Sequence, residues 1–124
     1  MIINEDIVPS TLNEAVELII AALASEDYPT ITGTSRDQFL IGSHLILSPI
    51  ISQLWSLDDK DSRLVKWFVE NHGIGNSDDI VVVIMSAVWH KVNKKRFMMK
   101  ALLEKQKKFW EKNNLNIYGE KLYS

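Results

Sequence analysis

No cysteine occurs among the 124 residues. Disulfide frameworks, thiolate metal sites and cysteine nucleophiles are excluded together, and the absence fits a reducing compartment. Glycine and proline are sparse, at 5 and 3 residues. The one stretch with two close glycines, "GIGNSDD" (Gly73 to Asp79), lacks the spacing and the lysine of a phosphate-binding loop. Long uninterrupted apolar runs are missing as well. "FLIGSHLILSPIISQLW" is broken by Gly, His and Pro, and "IVVVIMSAVW" is too short to span a bilayer. The opening "MIINEDIVPS" holds two acids and no base, unlike a secretory signal. The expectation is a cytoplasmic protein with no membrane segment. Histidine is limited to His44, His72 and His90, with no two at helical i, i+3 or i, i+4 spacing, so no metal or other cofactor is expected.

What is present is ordinary for a globular chain: 46% apolar and 24% charged residues. The length suits a single domain over 1–124, with 1–9 as an N-terminal arm and 114–124 as a tail, and it can bury a core without staples. The net charge of −2 conceals a polarity. Residues 1–61 carry ten acids and two bases (−8), whereas residues 62–124 carry six acids and twelve bases (+6). Separation of this kind steers association with charged partners, or lets the two halves attract one another.

The periodicity predicts an all-α fold of about five helices, one of them broken at Pro49. Thr11 with Glu14 forms a capping box ahead of Leu12, Ala15, Val16, Ile19, Ile20 and Leu23, which share a helical face. Tyr28 to Thr34 reads as a connection, because Pro29 disfavours helix at Tyr28. Ser35 with Gln38 opens a second helix through Phe39, Ile41, Leu45 and Ile46, and Pro49 should kink or break it near Leu47-Ser48. Asp61 or Ser62 caps the next helix, with Leu64, Val65, Phe68 and Val69 inward and a stop at Gly73 sealed by Ile74. Ile80 to Met85 is β-branched and apolar enough for a strand. The caps Asn76 and Ser77, the first-turn acids Asp78 and Asp79, and the lack of any partner strand favour a buried helix instead. The last helix should run from Lys94 to about Lys112 with Asn93 as cap. Its inner stripe would be Phe97, Met98, Ala101, Leu102, Lys105 and Phe109, and the tail after it should pack loosely.

From Phe39 to Trp110 the chain resembles an uncharacterised family of small all-helical bacterial and phage proteins. The matching residues are Phe39, Gly42, Leu54-Trp55, "SRLVKWFVENHGI" (Ser62 to Ile74), Asp78-Asp79-Ile80, Ile84, and "NKKRF" leading to "KKFW". "PSTLNEAV" (Pro9 to Val16) is similar to the family's opening as well. The resemblance implies an all-helical single domain and a cytoplasmic location; it implies no activity. One departure stands out: the Arg-Asn pair common after the family's glycine is absent here, where "LSPIISQ" places Pro49 instead.

No enzyme signature emerges. Asp58, Asp59 and Asp61, and the pair Asp78-Asp79, precede predicted helices, where acids stabilise the positive end of the helix dipole; acid–base chemistry would need two carboxylates facing across a cleft. Serine has no nucleophile elbow. Between Lys91 and Lys112 nine bases stand against two acids, enough for phosphate contacts. Lysine predominates over the Arg, Asn and Gln that read base edges, and the spacing also suits the solvated side of an amphipathic helix. Trp67 and Trp110 stand beside Phe68 and Phe109 and suggest interface anchors. The expected function is a non-enzymatic protein-binding module that occupies a larger protein, as an accessory or anti-defence inhibitor of a phage or mobile element would. Its expected contact residues are Trp67, Lys94, Lys95, Arg96, Lys107, Lys108 and Trp110. Pairing of two copies through opposite halves is a variant of that expectation, and nucleic-acid binding along residues 91–112 is the alternative.

Overall fold

Residues 3–122 are described by a computed structural model of the chain, and among them six helices form one bundle. Of the expected arm and tail, Met1, Ile2, Tyr123 and Ser124 lie outside the described residues. Helix α1 (Leu12–Ala22) starts where expected. The Thr11 hydroxyl accepts from the Glu14 amide at 3.2 Å, and the Glu14 carboxylate reaches back to the Ser10 amide at 2.6 Å. A short α2 (Asp27–Thr32) occupies what the sequence suggested was a connection. Pro29 falls in its first turn, where its missing N–H has no intrahelical role.

Helix α3 (Arg36–Leu54) is capped by Ser35 and runs through Pro49 unbroken, so the expected interruption is absent. Proline deprives the Leu45 carbonyl of its helical donor. Leu45 and Pro49 are both exposed, so that carbonyl lies on the outer side of the bundle, open to solvent. The helix tolerates proline because the lost bond is not buried. Helix α4 (Arg63–His72) begins after Ser62, whose hydroxyl donates to the Trp55 carbonyl at 3.0 Å instead of capping the helix. It ends as expected on Gly73 at φ 67, with the Ile74 amide turned back to the Phe68 carbonyl at 3.4 Å and Ile74 fully buried.

Helix α5 (Ser77–Val92) is the axis of the bundle and touches each of the other five helices. The strand alternative for Ile80 to Met85 is thus settled in favour of a helix. Its start is fixed by Asn76, whose side-chain oxygen accepts from the Asp78 and Asp79 amides at 2.9 and 3.3 Å. Ile80, Val81, Val83, Ile84, Met85 and Val88 then pack against Ile19, Ile51, Trp55, Leu64 and Phe68 in one core.

Two expectations about the C-terminal third require correction. Asn93 closes α5, its carboxamide donating to the Trp89 carbonyl at 2.9 Å, and Lys94 sits at φ 56. The last helix, α6 (Met99–Asn113), therefore begins five residues later than Lys94, and Lys95 to Met98 form a loop. Its inward stripe is Met99, Leu102, Leu103, Gln106 and Trp110, rotated away from the expected one. The tail is also more ordered than expected. Leu115 pairs with Lys121, the Ile117 carbonyl accepts from the Gly75 amide at 3.0 Å, and the Tyr118 carbonyl accepts from the Asn76 carboxamide at 3.0 Å. The turn closes at Gly119, φ 77, where a Cβ would collide with Asn76.

Candidate functional site

Helix α3 lies on α5 with its outer side uncovered. Ile41, Leu45, Ile46 and Ile50 are 64, 72, 68 and 48% exposed, and Gly42 and Pro49 complete the same crest. From Gln38 to Gln53 the helix holds no Asp, Glu, Lys or Arg. A long helical stretch with no charged side is normally buried, and a contiguous exposed apolar strip of this kind marks an interaction surface. Sequence reading missed it because a helix without a polar side gives no clue to which side faces outward.

A cavity flanks the crest on each side. One, about 400 Å³, runs along Phe39, Gly42 and Ile46 and is floored by Ile19, Ile31, Met85 and Val88. The other, about 450 Å³, lies between the start of α3, α5 and α6. Phe97, Met98, Ala101, Leu102, Lys105 and Phe109, the residues expected to form the inner stripe, line this second groove. Met98 and Phe109 remain 60 and 59% exposed.

Phe109 and Trp110 exchange the roles expected of them. Trp110 is only 6% exposed, and its indole donates to the Asp79 carboxylate at 2.8 Å. It is no surface anchor, because the ring is buried and its N–H is already satisfied by Asp79. Trp67 is half-buried, edge-on to the Phe68 and His72 rings at 5.0 Å from each. The expected cationic residues separate into two places. Lys94, Lys95 and Arg96 lie on the α5–α6 loop, where Lys95 stands over the Trp89 ring at 5.1 Å. Lys107 lies against Gly73 at the end of α4, where free carbonyls favour a cation, and Lys108 is exposed one position on. The stretch of α6 from Met99 to Lys107, about 12 Å long at 1.5 Å per residue, holds these groups apart.

The opposed charges of the two halves are joined by few contacts. Among the described residues the ion pairs are Lys91 with Glu17, Lys60 with Glu120, Lys66 with Asp61 and Arg36 with Asp37. None involves the bases from Lys94 to Lys112, so their charge faces outward.

Asp79 was expected only to sit in the first turn of a helix, and its environment is unusual for that role. Burial pushes its carboxyl up to about 6; the Trp110 hydrogen bond opposes that rise and the neighbouring Asp78 charge adds to it. Burial, and then the charge of Lys107, hold His72 below the ordinary imidazole value. His44 lines an open cleft with Ser52, Asp58 and Asp78, but His72 lies elsewhere, at the end of α4. Among the described residues no three of the His, Asp and Glu side chains are placed to hold a metal ion. Among the same residues, no helix is long and apolar enough to cross a membrane.

Residues 8–92 match the model of the family described as "Domain of unknown function (DUF6794)". The chain belongs to that family. The match covers α1 to α5 and stops before the basic loop and α6. Neither a curated protein nor a solved structure matches the chain.

Proposed function

We propose that the protein is a non-catalytic protein-binding module whose docking face is the outer side of α3. One observation carries this reading: four large aliphatic side chains stand in solvent along a helix with no Asp, Glu, Lys or Arg over its central sixteen positions, 38–53. Removing such a strip from water yields about 25 cal/mol per Å², and no charge on it must be desolvated or matched. The partner is a protein surface presenting a complementary apolar strip with carboxylates beside it. The outward-facing cations from Lys94 to Lys112 supply the opposite charge and steer the encounter. In this reading the module occupies a surface on a larger protein, and inhibition of that protein is the simplest consequence.

A photo-crosslinking amino acid placed at position 45 in the full chain, expressed in its native host, tests this. The expected product is one discrete protein adduct, weakened at high salt and lost when Ile41 and Ile50 are changed to Glu. A crosslinker at Lys66, exposed on α4, should give none. An adduct at twice the 14.2 kDa chain mass would assign the face to a second copy. No adduct at 45, or the same adducts from position 66, would overturn the reading.

Nucleic-acid binding along residues 91–112 is the second reading, supported by the lack, among the described residues, of ion pairs to the bases from Lys94 to Lys112. It requires affinity for mixed DNA and RNA that falls steeply with salt. Changing Lys94, Lys95, Lys107 and Lys108 to Glu should then abolish that affinity.

A further inference from the structure

The groove between the start of α3, α5 and α6 has a floor that the fold leaves incomplete. Gln106 lines it, is 8% exposed, and donates through its carboxamide nitrogen to the Asp79 backbone carbonyl at 3.2 Å. Its carboxamide oxygen is buried and has no hydrogen-bond partner. A buried acceptor without a donor costs about 1–3 kcal/mol, and native proteins rarely leave one without reason. The last torsion of a glutamine side chain is soft, so a partial turn brings this oxygen to a donor entering the groove at some cost to the 3.2 Å bond with the Asp79 carbonyl.

The walls say what sort of group would bring that donor. Phe97 and Phe109 offer rings and Met98 a thioether, the surfaces against which an aromatic ring packs best. The volume, about 450 Å³, lies within the range of small-ligand sites. Arg36 and Lys105 at the rim disfavour a cationic head, and the acids Asp37 and Asp79 disfavour a buried anion. A neutral donor remains.

The geometry points to a binding site in this groove for a neutral aromatic ring bearing one N–H or O–H donor, with the Gln106 carboxamide oxygen as acceptor. An indole or a phenol has this chemistry, either as a free small molecule or as a tryptophan or tyrosine side chain on a protein. The site is independent of the α3 crest and survives or fails separately from it.

The test is an NMR titration of the isotope-labelled full chain with indole and with benzothiophene, a near-isostere without the N–H. Indole should produce saturable shifts at the Gln106 side-chain amide and at Ser86 and Leu102, and benzothiophene should bind about tenfold more weakly. In Gln106→Leu the two should bind within about twofold of each other, because the acceptor has gone. Ala101→Trp, on the exposed side of α6, should fill the groove and remove both signals, which keeps the site testable should the leucine variant not fold. A blocked tripeptide with a central tryptophan separates the sources: equal binding assigns the site to a protein side chain, and binding of indole alone assigns it to a small molecule. No saturable shift with indole, shifts outside the groove, or equal affinity of the wild-type chain for indole and benzothiophene would overturn the assignment.

Discussion

Helices α3 and α5 are written in similar residues and live in opposite surroundings. Both are apolar around most of their circumference, and both are capped by a polar side chain. Yet nine of the sixteen residues of α5 are buried, against three of the nineteen in α3. Five neighbouring helices enclose α5, whereas α3 has α5 beneath it and solvent above. Apolar character therefore stabilises the fold in α5, while on the crest of α3 it remains available to another molecule.

The largest effect that separates them is truncation. Ile84→Ala in α5 should cost about 2–5 kcal/mol in a denaturant melt, since Ile84 is fully buried and its removal leaves a cavity. Leu45→Ala on the crest should change stability by less than about 0.5 kcal/mol. Comparable losses would mean that the crest is covered within the protein itself.

Pro49→Ala comes next. An alanine restores the N–H missing from the middle of α3, offset partly by a looser unfolded chain, and should stabilise the protein by about 1–2 kcal/mol in the same melt. A loss of stability would show that the helix depends on proline there.

A third measurement sharpens the α5 side. Folding raises the Asp79 carboxyl to about 6, chiefly by burial, so the folded chain holds that proton more tightly than the unfolded chain. The stability this provides is present in acid and is lost as pH rises from the ordinary carboxyl range to about 6. Asp79→Asn keeps an acceptor for Trp110 and should flatten that part of the pH–stability curve. At pH 7 the variant should be more stable by about 1 kcal/mol, a figure reduced for the partial solvent screening of the site. An unchanged slope would remove Asp79 as its origin.

Gly42→Ala should have the smallest effect. Nothing lies within 4 Å of the position its new Cβ would take. Helix propensity alone then predicts a gain of about 0.5–1 kcal/mol, read as a rise in melting temperature. If crosslinking from position 45 weakens in the same variant, the partner approaches the α3 backbone closely.

How far the sequence could be read depended on how locally each feature was decided. Thr11 with Glu14, Ser35, Asn76 and the Gly73-Ile74 stop are chemistry between neighbours, and each is found where its spacing placed it. Asn93 was ambiguous for the same local reason: an Asn between two helices can end one or begin the next, and here it ends α5. That displaced the start of α6 and rotated its inward face. Which of Phe109 and Trp110 turned inward was decided by Asp79, 31 residues distant from Trp110. No periodicity within α6 could have revealed it. The groove was half legible, because its apolar stripe was recognised but assigned to the core. The exposed crest of α3 was illegible, since a helix whose apolar and small polar residues are interspersed on every side faces whichever way its packing neighbours set.

The docked tail has a consequence for how motion in this protein can be followed. The Gly75 amide is bonded neither within α4 nor within α5 but to the Ile117 carbonyl, 42 residues along the chain. Its exchange with deuterated solvent requires only that the 115–122 turn lift away, whereas the amides of α5 wait for opening of the bundle. A single backbone hydrogen thus keeps separate time for the tail, and comparing its rate with that of Ile84 reads the two openings apart in one sample.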